Sequence, residues 1–247
     1  MAVGAFRDNG GLKEFYDSLH TKSDLRFPLA DYPLFHNLPP VKKDSLLLDV
    51  ACGKGFFLAA GNGRCRCVGV DFSATALEGA KKQGAKEILK GEAERLPFRD
   101  GTFDIVTNLG SLEHFLDKGK AIGEMARVAK PDGWIMIIVP NGYDLKTIWK
   151  VLRTGKGNDQ DGQEELAFMA YGDWRGLLES HGLMVESTVK YNGFAAIDWY
   201  YKRKDPAVIT TAEKCVRWFL GAFLRPLIPL NLSNYFIFLC KPKPARA

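Results

Sequence analysis

The sequence predicts an α/β protein with a doubly wound, mostly parallel sheet and helices on both faces. From residue 46 onward, short apolar segments alternate with helical segments, which is the order that β-α-β units require. Acidic residues and glycine turns follow several of these apolar segments, at the edge where parallel sheets bind ligands. The predicted strands are 46–50, 66–70, 87–90, 103–107, 134–139, 183–190 and 235–241, and the predicted helices are 56–61, 73–83, 117–129 and 173–180.

The first predicted strand ends in a turn that suits a positively charged cofactor. Asp49 lies near the end of this strand, and Gly53 and Gly55 let a ligand approach the backbone of the turn closely. A dinucleotide turn would carry a third glycine where this chain has Leu58, and its pyrophosphate would face the Asp49 carboxylate. S-adenosylmethionine (SAM) has a cationic sulfonium and no phosphate, so Asp49 favours SAM over a dinucleotide.

A second acidic residue ends the next predicted strand. Asp71 follows Asp49 by twenty-two residues, which is about the spacing at which an acid accepts hydrogen bonds from both ribose hydroxyls. Phe72 would then cover one face of the adenine. In the alternative interpretation Asp71 only begins a turn, and Ser73 caps the helix that follows.

Six motifs follow one another between residues 46 and 141. They are Leu-Asp-Val-Ala-Cys-Gly-Lys-Gly, Val-Gly-Val-Asp-Phe-Ser, Gly-Glu-Ala-Glu-Arg-Leu-Pro-Phe, Phe-Asp-Ile-Val, Ser-Leu-Glu-His-Phe and Arg-Val-Ala-Lys-Pro-Asp-Gly-Trp. In this order they resemble the class I SAM-dependent methyltransferases (methyltransferase type 11), in the branch of the ubiquinone and menaquinone biosynthesis methyltransferases. The resemblance implies a Rossmann-like sheet of seven strands whose last strand is antiparallel. It also implies an enzyme that uses SAM and releases S-adenosylhomocysteine.

The same resemblance implies a set of cofactor-binding residues. They are Asp49, Ala51, Cys52, Gly53 and Gly55 around the methionine end, Asp71 at the ribose, Phe72, Glu92 and Ala93 at the adenine, and Asn108, Leu109 and Gly110 beside the path to the acceptor. Two positions depart from the family pattern, since Ala51 stands where many members have glycine and Glu92 where aspartate is usual. The longer side chain weakens the assignment of Glu92 to the adenine.

His114 is the candidate general base, needed only if the acceptor is a hydroxyl. It follows the fourth predicted strand in Ser-Leu-Glu-His, beside the expected methyl group, and a neutral imidazole is a suitable base at pH 7. A purely structural role for this histidine is the alternative. Tyr143, Tyr171 and His181 are weaker candidates.

The domain organisation is predicted as an N-terminal cap, residues 1–45, followed by a SAM-binding domain, residues 46–247. The cap has an aromatic stretch at 12–19 that either closes over the site or packs as a helix. Two insertions are expected to choose the acceptor, at 142–170, where a polar loop would serve as a lid, and at 193–232. The second insertion has three basic residues at 202–204 and an apolar run within 207–232, which suits a membrane surface, a cover for the acceptor, a buried helix or a second subunit.

Composition excludes several other classes of protein. The 34 basic and 29 acidic residues are interspersed, so no nucleic-acid partner is expected at a net charge of +5. Five irregularly spaced cysteines do not predict disulfides, and Cys65-Arg66-Cys67 lacks a second ligand pair, so no metal is expected. The first eleven residues have no signal-peptide pattern, which favours the cytoplasm, with peripheral membrane contact through 202–232 as an open alternative.

The function predicted from these observations is methyl transfer from SAM to a small acceptor that is hydrophobic or linked to a lipid, by O- or C-methylation. Val139-Pro140-Asn141 also resembles methyltransferases of bacterial surface-glycan assembly, so a sugar or glycolipid acceptor is the alternative. A SAM-binding regulatory protein without catalysis is the alternative of another class. The acceptor and the oligomeric state are not predicted.

Overall fold

The computed structural model describes residues 9–22, 27–155, 169–192 and 227–244, and within these ranges seven strands form one sheet. They are β1 (Leu46–Val50), β2 (Arg66–Asp71), β3 (Glu87–Lys90), β4 (Phe103–Leu109), β5 (Ala129–Pro140), β6 (Leu183–Tyr191) and β7 (Tyr235–Pro242). Their order across the sheet is β3-β2-β1-β4-β5-β7-β6. Strands β1 to β5 pair in parallel, while β7 is antiparallel to both β5 and β6. The predicted fold class, including the antiparallel last strand, is confirmed.

Helices pack on both faces of this sheet. They are α1 (Asn9–Lys22), α2 (Tyr32–Asn37), α3 (Phe56–Ala60), α4 (Ala74–Lys82), α5 (Lys118–Val128), α6 (Leu145–Thr154) and α7 (Tyr171–Ser180). Alternate residues of the strands point to opposite faces, so β1 sends Leu48 and Val50 into one apolar core and Leu47 into the other. In the described ranges no helix is both long enough and apolar enough to cross a membrane.

Strand β5 is longer than predicted. It begins at Ala129 instead of residue 134, although Pro131, Asp132 and Gly133 are residues typical of a turn. These residues form an irregularity in the pairing, because Phe103 pairs with Ala129 and Ile105 pairs with Trp134. The extra residues are accommodated as a bulge, after which parallel pairing continues to the site edge.

The N-terminal segment contributes to the core and also covers the sheet edge. Tyr32 and Phe35 of α2 are buried in the core that α3 also contacts. Helix α1 lies against α4, where Asp17 accepts hydrogen bonds from the Ser73 hydroxyl and from the Thr75 backbone N–H at 3.3 Å. Ser73 also accepts from the Ala76 N–H at 3.0 Å, so the helix cap of the alternative interpretation is present.

The two predicted insertions are only partly described. The first contains α6, a helix that the sequence interpretation did not predict. Residues 156–168, which include most of the proposed polar lid, lie outside the described residues, and so do the basic residues 202–204 and most of the apolar run, 207–226.

Candidate functional site

A cavity of about 350 Å³ lies at the carboxyl edge of the parallel strands. Most of the residues predicted for the site line it, namely Asp49, Ala51, Cys52, Gly53, Asp71, Phe72, Glu92, Ala93, Leu109, Gly110 and His114. Residues outside the predicted site set complete the wall, among them Leu12, Tyr16 and His20 of α1, and Phe27, Tyr32, Lys54, Glu94, Glu113 and Tyr235. Leu12 and Tyr16 belong to the stretch 12–19, for which closure over the site was one of the two alternatives. The structure therefore brings the predicted cofactor motifs and the N-terminal helix to one partly open cavity.

The turn after β1 is fixed by hydrogen bonds to β2. The Cys52 N–H donates to the Val70 carbonyl at 3.0 Å, and the Gly53 N–H donates to an Asp71 carboxylate oxygen at 2.8 Å. Burial raises the pKa of the Cys52 thiol, and Asp71 and Asp49 raise it further, so this thiol stays protonated. The turn presents backbone to the cavity in a fixed position.

Ala51 has a left-handed conformation with φ +57°, which favours glycine. A Cβ in this region costs about 1 kcal/mol or slightly more. We expect Ala51→Gly to raise the free energy of unfolding by about 1 kcal/mol, measured by urea denaturation. The matched control is Ala74→Gly, at an exposed position with negative φ in the first turn of α4, which should lower the free energy of unfolding or leave it unchanged. Equal losses in both variants would contradict the strain at Ala51.

Asp49 is almost completely buried at the end of β1. Its exposed fraction is 3%, and one carboxylate oxygen accepts from the Thr107 hydroxyl at 2.7 Å. Burial raises the pKa of Asp49 to about 7; the Thr107 hydrogen bond lowers it and nearby Asp71 raises it. A carboxyl held in this way ionises readily when a cation enters the cavity.

Asp71 is a second buried acid in the same wall. Its two oxygens accept from the Gly53 N–H at 2.8 Å and from the Ser73 N–H at 2.9 Å. Burial raises the pKa of Asp71 to about 6 in spite of these hydrogen bonds. Each oxygen keeps a second lone pair, so Asp71 can hold the turn and accept from a ligand hydroxyl. Phe72 follows it, and its ring lies 5.8 Å from that of Tyr16 in α1.

Two residues of the predicted set are placed outside the cavity wall. Gly55 begins α3 with φ +72°, and a Cβ there would lie 2.8 Å from the Cβ of Ala80, so its role is packing between α3 and α4. Asn108 is fully buried. Its side chain donates to the Val50 carbonyl at 2.9 Å and accepts from the Leu112 N–H at 3.0 Å. It ties the end of β4 to β1 and to the turn that carries His114.

The turn after β4 places two titratable residues next to each other. One oxygen of Glu113 lies 3.7 Å from Nε2 of His114, and the other has no hydrogen-bond partner in the described part of the chain. Burial raises the pKa of Glu113 to about 7. Burial and, to a smaller degree, Lys118 lower the pKa of His114 to about 4. At pH 7 the imidazole is therefore neutral and weakly basic, while the carboxyl titrates.

Two tyrosines complete this half of the cavity. The ring of Tyr16 lies 5.8 Å from that of His114, and the Tyr16 hydroxyl has no hydrogen-bond partner within the described ranges. Burial, followed by Glu113 and then Asp71, raises the pKa of Tyr16. Burial also raises the pKa of Tyr235 to about 12, with a further contribution from Glu113. Both phenols are neutral hydrogen-bonding groups at physiological pH.

The other candidate bases do not line the cavity. Tyr143 is 50% exposed, the Tyr171 hydroxyl lies 3.5 Å from the Thr188 hydroxyl, and Nδ1 of His181 is 2.9 Å from the Leu177 carbonyl. Sequence reasoning overlooked Glu113 although it stands next to His114. An acid between Leu112 and His114, inside an apolar motif, was the signal that could have found it.

Comparisons with known proteins agree with this geometry. Residues 48–137 match the protein family described as "Methyltransferase domain". The uncharacterized protein MJ1252 of Methanocaldococcus jannaschii is 32% identical over 158 residues, which cover 62% of this chain and 60% of that protein. Tocopherol O-methyltransferase of Arabidopsis thaliana is 31% identical over 185 residues, covering 69% of this chain and 51% of that enzyme. A shorter match, 39% identical over 101 residues, reaches the bovine protein named "Probable tRNA methyltransferase 9B" and covers 40% of this chain and 22% of that protein. The chain thus spans 60% or less of the length of these relatives.

The fold is shared with solved methyltransferase structures. Geranyl diphosphate C-methyltransferase of Streptomyces coelicolor, solved with Mg²⁺, geranyl diphosphate and S-adenosylhomocysteine, superposes with a TM-score of 0.59. The superposition covers 86% of this chain and 78% of that one at 15% identity, so it is evidence of a shared fold alone.

Proposed function

Since the chain belongs to the class I SAM-dependent methyltransferase family, we propose that it transfers a methyl group from SAM to a small acceptor that is hydrophobic or linked to a lipid. The observation that carries the proposal is the cavity, where three buried carboxyls, those of Asp49, Asp71 and Glu113, share one largely aromatic and aliphatic wall. Burial raises their pKa values to about 7, 6 and 7. Ionising all three carboxyls therefore costs free energy unless a cation enters the cavity. When bound, SAM would supply that cation and an electrophilic methyl group.

We propose the following roles for the cofactor half. Asp49 and the backbone of Ala51, Cys52 and Gly53 receive the methionine end, and Asp71 accepts from the ribose hydroxyls with lone pairs that the turn leaves open. Phe72, Glu92 and Ala93 receive the adenine, and Leu109 and Gly110 form the wall towards the acceptor. Gly55 and Asn108 support this arrangement from behind the wall. Asp71 is held in place by the Gly53 and Ser73 N–H groups, and Asp49 is held by the Thr107 hydroxyl.

The acceptor half is formed by α1 and the turn after β4. Tyr16, Phe27 and Tyr235 supply aromatic surface around the buried pair Glu113 and His114. Helix α1 covers one side of the cavity and so reduces the access of water to the reacting groups, which strengthens the electrostatic interactions inside. Methyl transfer to a hydroxyl releases one proton, and the Glu113 carboxylate and the His114 imidazole are the groups placed to take it. The apolar surroundings support a hydrophobic acceptor.

The motif that suggested the surface-glycan alternative, Val139-Pro140-Asn141, has a structural role. The Asn141 side chain donates to the Asn231 and Ser233 carbonyls at 2.9 and 2.8 Å and accepts from the Tyr143 N–H at 3.0 Å. It is therefore engaged in joining the end of β5 to the segment before β7, a structural role that explains its presence without a sugar.

The proposal is tested by calorimetry followed by a turnover assay. SAM and S-adenosylhomocysteine are expected to bind, and NAD is not. Formation of S-adenosylhomocysteine should then be stimulated by the organic-soluble fraction of a cell extract and not by its aqueous fraction. Binding of SAM with no turnover in either fraction would favour the regulatory alternative, and stimulation by the aqueous fraction alone would favour a sugar. No binding of SAM would overturn the proposal.

A further inference from the structure

Helix α6 presents its largest apolar side chains to solvent. Leu145, Trp149 and Leu152 lie on one side of the helix at spacings of four and three residues, and their exposed fractions are 50%, 66% and 76%. Scattered exposed leucines are ordinary, but three aligned side chains that include a tryptophan form a continuous apolar stripe. We call Leu145, Trp149 and Leu152 the α6 stripe.

The helix that carries the stripe is capped at both ends. Asp144 caps its first turn by accepting from the Thr147 N–H at 2.7 Å, and the Gly155 N–H closes the last turn on the Val151 carbonyl at 2.8 Å. Thr147 is buried, so the side of α6 opposite to its apolar stripe faces the protein. The stripe is therefore exposed on a capped helix.

Basic side chains border the stripe. Lys146, Lys150 and Arg153 follow the same four-and-three spacing one position further along the helix, so they form a row beside the stripe. Residues 145–154 contain no acidic residue. An apolar stripe with a tryptophan and a flanking basic row is the pattern of a helix that lies in the interface of a bilayer with anionic headgroups.

The position of α6 fits access to the cavity. The helix begins five residues after the end of β5, and Pro140 of β5 pairs with Tyr235, which lines the cavity. The Asn141 amide holds the chain before β7 at the same edge, where Leu227 is 74% exposed. Helix α6 therefore starts near the sheet edge that carries the cavity, and a bilayer that receives the α6 stripe would lie close to that edge.

Three other occupants fit the stripe less well, two because of their charge and one because it has few apolar residues. A second copy would place two basic rows close together. The segment 193–226 has six basic and three acidic residues, so it too is positively charged. The segment 156–168 has four acidic residues and one basic residue, but only three apolar residues, at its end, with which to cover the stripe. An anionic lipid surface would bury the apolar stripe and attract the basic row through its headgroups.

We propose that α6 docks this protein on anionic membranes through the stripe of Leu145, Trp149 and Leu152 and the row of Lys146, Lys150 and Arg153. This inference deepens the proposed function, since it names a bilayer as the place where a lipid-linked acceptor is met. Its test does not require turnover, so the two proposals fail independently.

The test is sedimentation of the full chain with phosphatidylcholine vesicles that do or do not contain phosphatidylglycerol. The wild-type chain should bind the anionic vesicles, and the Trp149→Ser/Leu152→Ser variant should bind them about tenfold or more weakly, because two apolar side chains no longer enter the interface. The Lys146→Glu/Lys150→Glu variant should lose the preference for anionic vesicles. The matched control is Leu89→Ser/Met184→Ser, which removes two side chains that are 43% and 42% exposed on edge strands and should bind like wild type.

Folding of each variant is checked by circular dichroism and by SAM affinity. If the apolar variant does not fold, the charge variant still decides, because it leaves the stripe intact. Equal binding of wild type and both α6 variants would overturn the proposal, and so would equal binding to neutral and anionic vesicles. A wild-type dimer that the Trp149→Ser/Leu152→Ser variant converts to monomer, with vesicle binding unchanged, would assign the stripe to a second copy instead.

Discussion

Replacing Asp49 by asparagine is expected to weaken SAM binding roughly tenfold to a hundredfold, since a charge-assisted contact is lost while the shape is kept. The hydrogen bond to Thr107 should survive the change, because the amide oxygen of the substituted side chain can still accept from the hydroxyl that lies 2.7 Å from the Asp49 carboxylate. Isothermal titration calorimetry measures the change in affinity directly.

The matched control for this prediction is Asp104→Asn at the opposite end of the sheet. Asp104 accepts from the Leu46 N–H at 2.9 Å and from Lys130 at 2.6 Å, and it does not line the cavity. This variant should unfold more easily but bind SAM with unchanged affinity. If Asp49→Asn and Asp104→Asn had the same affinity for SAM, the proposed role of Asp49 would be wrong.

The same contact makes binding depend on pH. With the pKa of Asp49 raised to about 7 and that of Asp71 to about 6, part of the free protein must lose a proton before a cation is accommodated. SAM affinity should therefore rise from pH 5 to pH 7, with protons released on binding, and Asp49→Asn should release fewer. The other titratable residues of the wall, among them Glu113, His114, His20, Lys54, Glu92 and Glu94, are left unchanged by this variant. A flat affinity over this range would contradict the prediction.

The stability of the free protein should change in the opposite direction. The native pKa values of Asp49, Asp71 and Glu113 lie above those of ordinary carboxyls, so the native state binds more protons than the unfolded state between about pH 4 and 7. Their contribution to the free energy of unfolding is therefore largest at low pH and is lost as pH rises through about 7. The increase in melting temperature on adding SAM should be greater at pH 7.5 than at pH 5.5.

The parts of the fold that sequence patterns predicted are those that local rules determine. The strand from Leu46 to Val50 was found because it is apolar except for Asp49 and ends in a glycine turn. The cap at Ser73, weighed only in the alternative interpretation of Asp71, follows from its place before a helix. The start of β5 was predicted too late because a bulge at Pro131, Asp132 and Gly133 has residues typical of a turn. Pairing with the neighbouring strand β4 specifies this bulge.

The half of the cavity that we propose for the cofactor was predictable from the sequence, whereas the half that we propose for the acceptor was predictable only in part. Asp49 and Asp71 end adjacent parallel strands, so their proximity follows from the topology. Tyr16 and Tyr235 stand near opposite ends of the sequence and line one cavity only because α1 folds over the sheet edge. No periodicity encodes such an arrangement. The role of Glu113 depends on its burial, which arises from the same packing.

Replacing Glu113 by glutamine is expected to lower kcat for a hydroxyl acceptor by roughly 10²- to 10⁴-fold, the usual contribution of a general base. Its carboxyl is buried, has one oxygen without a partner in the described ranges, and has a pKa raised to about 7. His114, whose pKa is lowered to about 4, is a much weaker base at neutral pH. We therefore expect His114→Ala to lower kcat less than Glu113→Gln does.

The pH profile of kcat separates these residues from a merely structural effect. In the wild type and in His114→Ala, kcat should rise with pH as Glu113 ionises, with a midpoint at or below about 7 because bound SAM adds positive charge to the cavity. Glu113→Gln should lose this rise, and Glu113→Asp should restore part of the rate together with the rise. If kcat falls most in His114→Ala, while Glu113→Gln keeps the wild-type profile, the proton passes to His114. In that case the imidazole must be more basic in the complex than in the free cavity, where burial keeps it neutral.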